Sequence, residues 1–114
     1  MATLYGIKNC DTCRKARKAL DGKGVPYTFH DLRDDGLSAA LLEHILERVP
    51  VLEALNRRST TWRNLPEEDK QDVDANKARA LFMANPTLLK RPLLDTGTEI
   101  RLGYRDGDYD DLKA

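Results

Sequence analysis

Residues 3–16 read TLYGIKNCDTCRKA, an apolar run followed by small polar residues and two cysteines. The opening of this segment is rich in β-formers and favours a strand, whereas Asn9 and Asp11 are residue types that turn the chain and cap helices. From Cys13 onward the apolar residues keep helical spacing until Gly24 provides a stop. The segment therefore predicts a strand, a loop with the first cysteine, and a helix.

The remaining chain extends this unit into a sheet interrupted by helices. Residues 27–32 predict a second strand, which a right-handed crossover would place parallel to the first. Residues from about 35 to 88 show mainly helical apolar spacing. Residues 93–102 predict an antiparallel hairpin with Gly97 at a positive-φ position, and a short closing helix is expected after Gly107.

Length and composition limit the class of protein. The 114 residues, 40% of them apolar, suit one compact domain. Nineteen basic and nineteen acidic residues give a formal net charge of zero, so no nucleic-acid partner is predicted. The first residues lack the order of a signal peptide, and no apolar run is long enough to cross a membrane. We expect a cytoplasmic monomer that does not associate with membranes.

The cysteine pair carries the candidate chemistry. Cys10 and Cys13 are the only cysteines, and their spacing excludes a long-range disulfide within the chain. A thiol at a helix start lies beside unpaired backbone N–H groups, which stabilise a thiolate, and the second thiol follows one turn later. Nearby basic residues are expected to lower the pKa of Cys10 further, against the opposing charge of Asp11; they are Lys8, Arg14 and Lys15.

Two other interpretations of the pair remain open. The cysteines could be incidental or buried residues, or they could form half of a zinc site. Zinc is disfavoured because the chain has no other cysteine, and His30 and His44 are too far apart in sequence to form the usual second half-site. We therefore predict no metal.

Three segments together resemble the arsenate reductase (ArsC), Spx and YffB family, and most closely its YffB branch. They are CDTCRKA at 10–16, NRRSTTWR at 56–63 and KRPLL at 90–94. The resemblance covers nearly the whole chain and implies a thioredoxin-like (glutaredoxin-like) α/β fold with a mixed four-stranded sheet and a helical insertion. It implies a single ArsC-like domain, with its core at 1–33 and 89–114 and its insertion at 34–88.

The resemblance also implies roles for both cysteines. In this family the cysteine that opens the first helix attacks the oxyanion or disulfide, so Cys10 is the expected nucleophile. Arsenate reductases of the glutaredoxin-linked type have serine or threonine at the position of Cys13, whereas Spx-like members have a cysteine pair that forms a disulfide. Cys13 is therefore expected to act as a resolving thiol.

Five further residues are expected to bind glutathione or substrate. Arg58 and Arg91 match family arginines that hold an anionic substrate, and a guanidinium offers a planar fork to such groups. Pro92 matches the proline that is cis and faces the active-site loop in thioredoxin-like folds. Lys8 and Asn9 stand where arsenate reductases have Asn-Pro before the nucleophile.

The implied function is that of a glutathione-dependent thiol–disulfide reductase. Glutathione would be a co-substrate, with no tightly bound cofactor, and the other substrate would be a small thiol or disulfide; glutaredoxin is a candidate partner. One alternative is an Spx-like redox-sensing regulator that binds RNA polymerase, although the chain has no glycine between Gly36 and Gly97 to match the Spx contact. Another is a glutaredoxin-linked arsenate reductase, although Tyr104 stands at the place of its third arginine.

Overall fold

A computed structural model describes residues 2–113 of the chain. It divides into two compact units. One contains the residues up to Asp35 together with those from Arg91 onward, and the other is Gly36–Lys90. The predicted single domain stays a prediction.

The first unit contains a sheet and one long helix. Its elements are β1 (Ala2–Gly6), α1 (Asp11–Lys23), β2 (Tyr27–Asp31), β3 (Leu93–Asp95) and β4 (Ile100–Leu102). The strand order is β2-β1-β3-β4, with β1 parallel to β2, and β3 antiparallel to both β1 and β4. The predicted mixed four-stranded sheet is confirmed, as are its parallel pair and its hairpin, in which Gly97 has a φ of 96°.

The core of this unit lies between α1 and the sheet. Leu4 and Leu94 face each other across β1 and β3, and both are buried with Ala16 and Leu20 of the helix. The helix ends where Gly24 adopts the left-handed conformation at φ 68°, which a residue without Cβ reaches at no steric cost. The apolar stripe of α1 thus holds the helix against the sheet. Its first turn follows the short loop after β1.

The closing helix expected after Gly107 is wrong. Residues 106–111 form successive turns instead, with the N–H of Asp110 bonded to the carbonyl of Gly107 at 3.1 Å. The cause is local, because the Asp108 carboxylate accepts the N–H of Arg105 at 2.8 Å and so competes with helical bonding. The segment still contributes to the core, since Tyr109 is only 1% exposed.

The second unit is helical, as expected. Its helices are α2 (Ala39–Leu46), α3 (Val51–Ala54), α4 (Thr60–Arg63), α5 (Glu67–Lys70) and α6 (Ala75–Ala84), followed by a 3₁₀ turn at Pro86–Leu88. The side chains of Ser38, Ser59 and Asp74 accept backbone N–H groups at the starts of α2, α4 and α6. Helix α5 was not expected from the sequence, because its residues are all polar and give no apolar period.

Candidate active site around Cys10

Cys10 lies at the junction of the β1–α1 loop and the helix. It occupies the N-cap position in an extended conformation, with φ −116° and ψ 120°, and its carbonyl accepts the N–H of Arg14 at 3.0 Å. Its side chain makes no capping hydrogen bond of ordinary geometry, and the residue is half-buried. The sulfur is thus partly open to solvent at the positively polarised end of a 13-residue helix.

The surroundings of Cys10 favour its thiolate. Burial alone would raise the pKa of Cys10, but the backbone N–H and the thiol of Cys13 and the guanidinium of Arg91 oppose it, and the pKa falls below its ordinary value. Donors and a cation stabilise the charged sulfur more than partial burial destabilises it. Cys10 is therefore suited to nucleophilic attack.

Cys13 has the opposite character. Its side chain is 0% exposed, and burial, together with the neighbouring Cys10, raises the pKa of Cys13 to about 12, against the opposing effects of the Ile7 N–H and Arg91. At neutral pH Cys13 is a thiol and can donate its S–H to the Cys10 sulfur. Both cysteines are in the free form.

Gly6 makes room for the Cys13 sulfur, a role that the sequence analysis missed. A Cβ built on Gly6 would lie 2.6 Å from Cys13 Sγ and 3.3 Å from Cys13 Cβ. Real Cβ atoms essentially never come so close to another heavy atom. Glycine at the end of β1 is therefore what allows the first turn of α1 to pack directly on the strand.

Arg91 and Pro92 come together with the cysteines. The Arg91–Pro92 peptide bond is cis, as the resemblance implied, and Pro92 is buried. The Pro92 carbonyl accepts the N–H of Gly103 at 2.8 Å, which fixes this segment to the end of β4. The Arg91 guanidinium lowers the pKa of both Cys10 and Cys13.

Two of the three basic residues expected to act on Cys10 are paired with carboxylates instead. The Lys8 ammonium is paired with Asp34 at 3.0 Å, and the Arg14 guanidinium is paired with the Asp11 carboxylate. The cation that acts on the Cys10 sulfur comes instead from Arg91, at the other end of the sequence. Lys8 and Arg14 are close to Cys10 in sequence, but each forms an ion pair with a carboxylate.

Lys8 and Asn9 line a small cleft in the loop before Cys10. Its volume is about 160 Å³, and its lining residues are Ile7, Lys8, Asn9, Asp31, Arg33 and Asp34. Both Lys8 and Asn9 are exposed. The cleft presents charges of both signs, so it can receive a polar group with both an amino and a carboxylate end.

Arg58 belongs to the helical unit. It is exposed and lines a cleft of about 340 Å³ with Leu52, Leu55, Asn56, Arg57 and Lys90. Those residues supply three cations and no carboxylate, and the Asn56 side chain holds the loop by accepting the Arg58 N–H at 3.0 Å. This cleft can bind an anion.

Asp31 is a second residue that the sequence analysis missed. It is the only polar or charged residue among the buried ones that the structure describes, and it accepts the backbone N–H of Lys8 in the loop that leads to Cys10. No group of three or more His, Cys, Asp or Glu residues within 2–113 is placed to hold a metal ion. Over the same range no helix is long and apolar enough to cross a membrane.

Comparisons with known proteins agree with this architecture. The structure of a protein named YffB covers 100% of both chains with a TM-score of 0.91 and 38% sequence identity. An arsenate reductase (ArsC) related protein from Brucella melitensis is 44% identical, with a TM-score of 0.79 and coverage of 96% of this chain and 92% of that one. The global transcriptional regulator Spx of Listeria innocua is 30% identical over 113 residues, which is 95% of this chain and 83% of that protein.

These likenesses confirm the thioredoxin-like fold expected from the sequence. The profile of the ArsC family matches residues 5–112, from the middle of β1 to the end of the closing turns. That range includes both cysteines at the start of α1, the helical unit and the cis-proline segment. The chain therefore belongs to the ArsC family.

Proposed function

We propose that this member of the ArsC family is a glutathione-dependent thiol–disulfide oxidoreductase that works in the cytoplasm with Cys10 as its nucleophile. The observation that carries the proposal is the contrast between two neighbouring sulfurs. The pKa of Cys10 is lowered beside a donor thiol and a guanidinium, while burial raises the pKa of Cys13 to about 12. Cys10 is therefore the sulfur that ionises more readily and attacks first, whereas Cys13 is protonated near neutral pH.

The first step is an exchange at a disulfide between glutathione and a small thiol. The Cys10 thiolate attacks the glutathione sulfur, a Cys10–glutathione bond forms, and the original S–S bond breaks. The small thiol leaves as a thiolate and takes a proton from water. The total number of disulfides is unchanged, and the oxidised partner is now Cys10.

In the second step Cys13 resolves the mixed disulfide. Once Cys10 is bonded to glutathione it no longer carries the negative charge that raised the pKa of Cys13, so the Cys13 thiol loses its proton more readily. Its thiolate attacks Cys10, glutathione leaves, and two further glutathione molecules reduce the Cys10–Cys13 disulfide. A glutathione thiolate that attacks the Cys10 adduct directly would give the same products.

Glutathione has two carboxylates, for which Arg91 and Arg58 are the candidate cations. Arg91 acts on the sulfur and is suited to a carboxylate near it, and Arg58 lines a cleft whose charged residues are all cationic. Lys8 and Asn9 line the mixed-charge cleft beside the nucleophile loop, and Pro92 shapes the backbone next to Arg91.

Mass spectrometry after incubation with oxidised glutathione tests this proposal. We expect a stable single adduct in Cys13→Ser, no adduct in Cys10→Ser, and a transient adduct followed by an internal disulfide in the native chain. Equal adduct formation in Cys10→Ser would contradict the proposal. In parallel, the native chain should speed the reduction of a small glutathione mixed disulfide by glutathione, and Cys10→Ser should not.

The 30% identity to an Spx protein favours one other candidate, a redox-sensing regulator that binds RNA polymerase. In that case the native chain would co-purify with polymerase, and Cys10→Ser would still do so. The likeness to an ArsC-related protein raises arsenate as a substrate. Turnover of arsenate with glutathione and glutaredoxin supplied would favour that activity over disulfide exchange.

A further inference from the structure

We propose that Asp31 is a positioning residue, which holds the loop before Cys10 so that the sulfur faces its stabilising donors. The inference rests on the proposed function, because it takes Cys10 as the reactive group. None of the motifs in the sequence points to Asp31. Its role follows from the backbone groups that its carboxylate binds.

The Asp31 carboxylate joins two parts of the chain. The residue ends β2 and is 3% exposed. Its Oδ1 accepts the N–H groups of Arg33 at 2.8 Å and Asp34 at 2.9 Å, within its own turn. Its Oδ2 accepts the N–H of Lys8 at 3.0 Å, across to the β1–α1 loop.

A second hydrogen bond holds the chain two residues earlier, at Gly6. The N–H of Leu32 donates to the carbonyl of Gly6 at 2.8 Å. Gly6 and Lys8, on either side of Ile7, are thus both tied to the end of β2. The N–H of Ile7 in turn acts on the Cys13 sulfur, so the tied segment sets one wall of the cysteine site.

The tie lies close enough to Cys10 to matter. Only Asn9 separates Lys8 from Cys10, so a shift of the Lys8 backbone moves the nucleophile relative to the Cys13 N–H and to Arg91. A buried carboxylate that accepts several N–H groups forms strong, well-directed bonds. Burial alone would raise the pKa of Asp31, but those three N–H groups and the Lys8 charge lower it, so the carboxylate is ionised near neutral pH.

Whether Cys10 reacts faster or slower once Asp31 is replaced distinguishes between two possible roles of its carboxylate. Asp31 faces the backbone and the ammonium of Lys8, the N–H groups of Arg33 and Asp34, and Asp35, whose carboxylate accepts the Asp31 N–H at 2.9 Å. As a bare negative charge, Asp31 disfavours a thiolate nearby, so its removal would speed the reaction of Cys10. As a positioning residue, its loss slows that reaction.

Asp31→Asn separates the two effects. The amide oxygen can keep the two bonds in the turn, but its NH₂ then faces the N–H of Lys8, donor against donor, and the tie to the loop is lost. Asp34→Asn is the matched control. It removes the same charge from the same turn and breaks the exposed ion pair with the Lys8 side chain, but it leaves the bond from the Lys8 N–H to Asp31 in place.

The readout is the rate of Cys10 alkylation by iodoacetamide as a function of pH, with circular dichroism to confirm folding. We expect Asp31→Asn to move the inflection to higher pH and to slow the reaction near pH 7 by about tenfold, the equivalent of one pH unit. Asp34→Asn should react at the native rate or slightly faster. An Asp31→Asn protein that reacts as fast as the native protein, or faster, would overturn the proposal.

If Asp31→Asn does not fold, Asp31→Glu provides the test. It keeps the charge but moves the carboxylate by one methylene, so we expect a slower reaction from the lost bond to the Lys8 N–H, and a native rate would refute the role. These rates use a neutral reagent without glutathione. If the native chain fails to exchange with glutathione, the proposed function fails, whereas the comparison between variants still decides the role of Asp31.

Discussion

The two sulfurs of the cysteine pair lie three residues apart and have opposite surroundings. Cys10, at the open N-cap of α1, has a guanidinium and an N–H group beside it, and its pKa is lowered. Cys13, one turn along, is closed against Gly6 of β1, and its pKa is raised to about 12. Arg91 lowers the pKa of both sulfurs, so it is chiefly the burial of Cys13 that decides which of the two is reactive.

The largest expected effect tests that contrast directly. Cys10→Ser should lower the rate of iodoacetamide labelling of the folded protein near pH 7 by about a hundredfold or more, since the remaining thiol is buried and protonated. Cys13→Ser should keep fast labelling. In Cys10→Ser, labelling of Cys13 should grow only in the alkaline range, because burial raises the pKa of this thiol, whereas labelling of Cys10 in Cys13→Ser should already be constant there.

Labelling is followed by mass spectrometry of the intact protein. The comparison between the two sulfurs breaks down if Cys10→Ser reacts at a rate close to the native one. If both single variants react equally once they are unfolded in urea, the difference between the two thiols comes from their surroundings in the folded protein.

The next largest effect concerns the space beside Gly6 in which the Cys13 side chain is buried. Gly6→Ala should destabilise the protein by about 1–3 kcal/mol, because overpacking forces side chains or backbone to move, and the new Cβ would meet Cys13 Sγ at 2.6 Å. Urea unfolding monitored by circular dichroism measures the change. Cys13→Ala, combined with Gly6→Ala, should recover much of the loss.

Gly22→Ala is the matched control for this substitution. Gly22 lies inside α1, and a Cβ there meets nothing within 4 Å. The same glycine-to-alanine change should therefore stabilise the helix by about 0.5–1 kcal/mol. Equal effects at the two glycines would show that Cys13 is not closely packed against β1.

The smallest of these effects concerns the cation beside Cys10. Arg91→Met should raise the pKa of Cys10, because the guanidinium lowers it in the native protein. Alkylation near pH 7 should then slow by roughly tenfold or less. High salt should reduce the difference between the native protein and Arg91→Met.

Arg58→Met is the comparison variant. It removes the same side-chain charge from the helical unit, and we expect the rate with neutral iodoacetamide to stay at the native value. In glutathione turnover it should raise KM while leaving kcat nearly unchanged, as expected when a contact to the substrate's carboxylate is lost. An alkylation rate that falls equally in both variants would show that Arg91 has no specific effect on the pKa of Cys10.

The predictable parts of the structure were those set by local pattern. The strand, helix and strand from residue 2 to 31 follow from β-formers, helical spacing and the stop at Gly24. The hairpin follows from Gly97 between two short apolar runs. Pro92 was different, because a cis bond is uncommon before proline and only the family resemblance pointed to it.

The missed features depend on contacts between distant segments. Asp31 is 23 residues from Lys8, and the group that it binds is a backbone N–H, which has no signature in the sequence. The need for glycine at position 6 arises only once Cys13 packs on it. The turns at 106–111 show the limit of periodicity, because aspartate side chains competed successfully for the backbone donors.

The central place of β1 in the sheet has a consequence for how the chain folds. β1 pairs with β2 nearby in sequence and with β3 only after the whole helical unit, and contacts that close such long loops form late and slowly. Arg91 lies two residues before β3, so it reaches Cys10 only in that last stage. A nascent or partly folded molecule would thus lack the guanidinium beside Cys10, and the thiol would reach its full reactivity only with completion of the sheet.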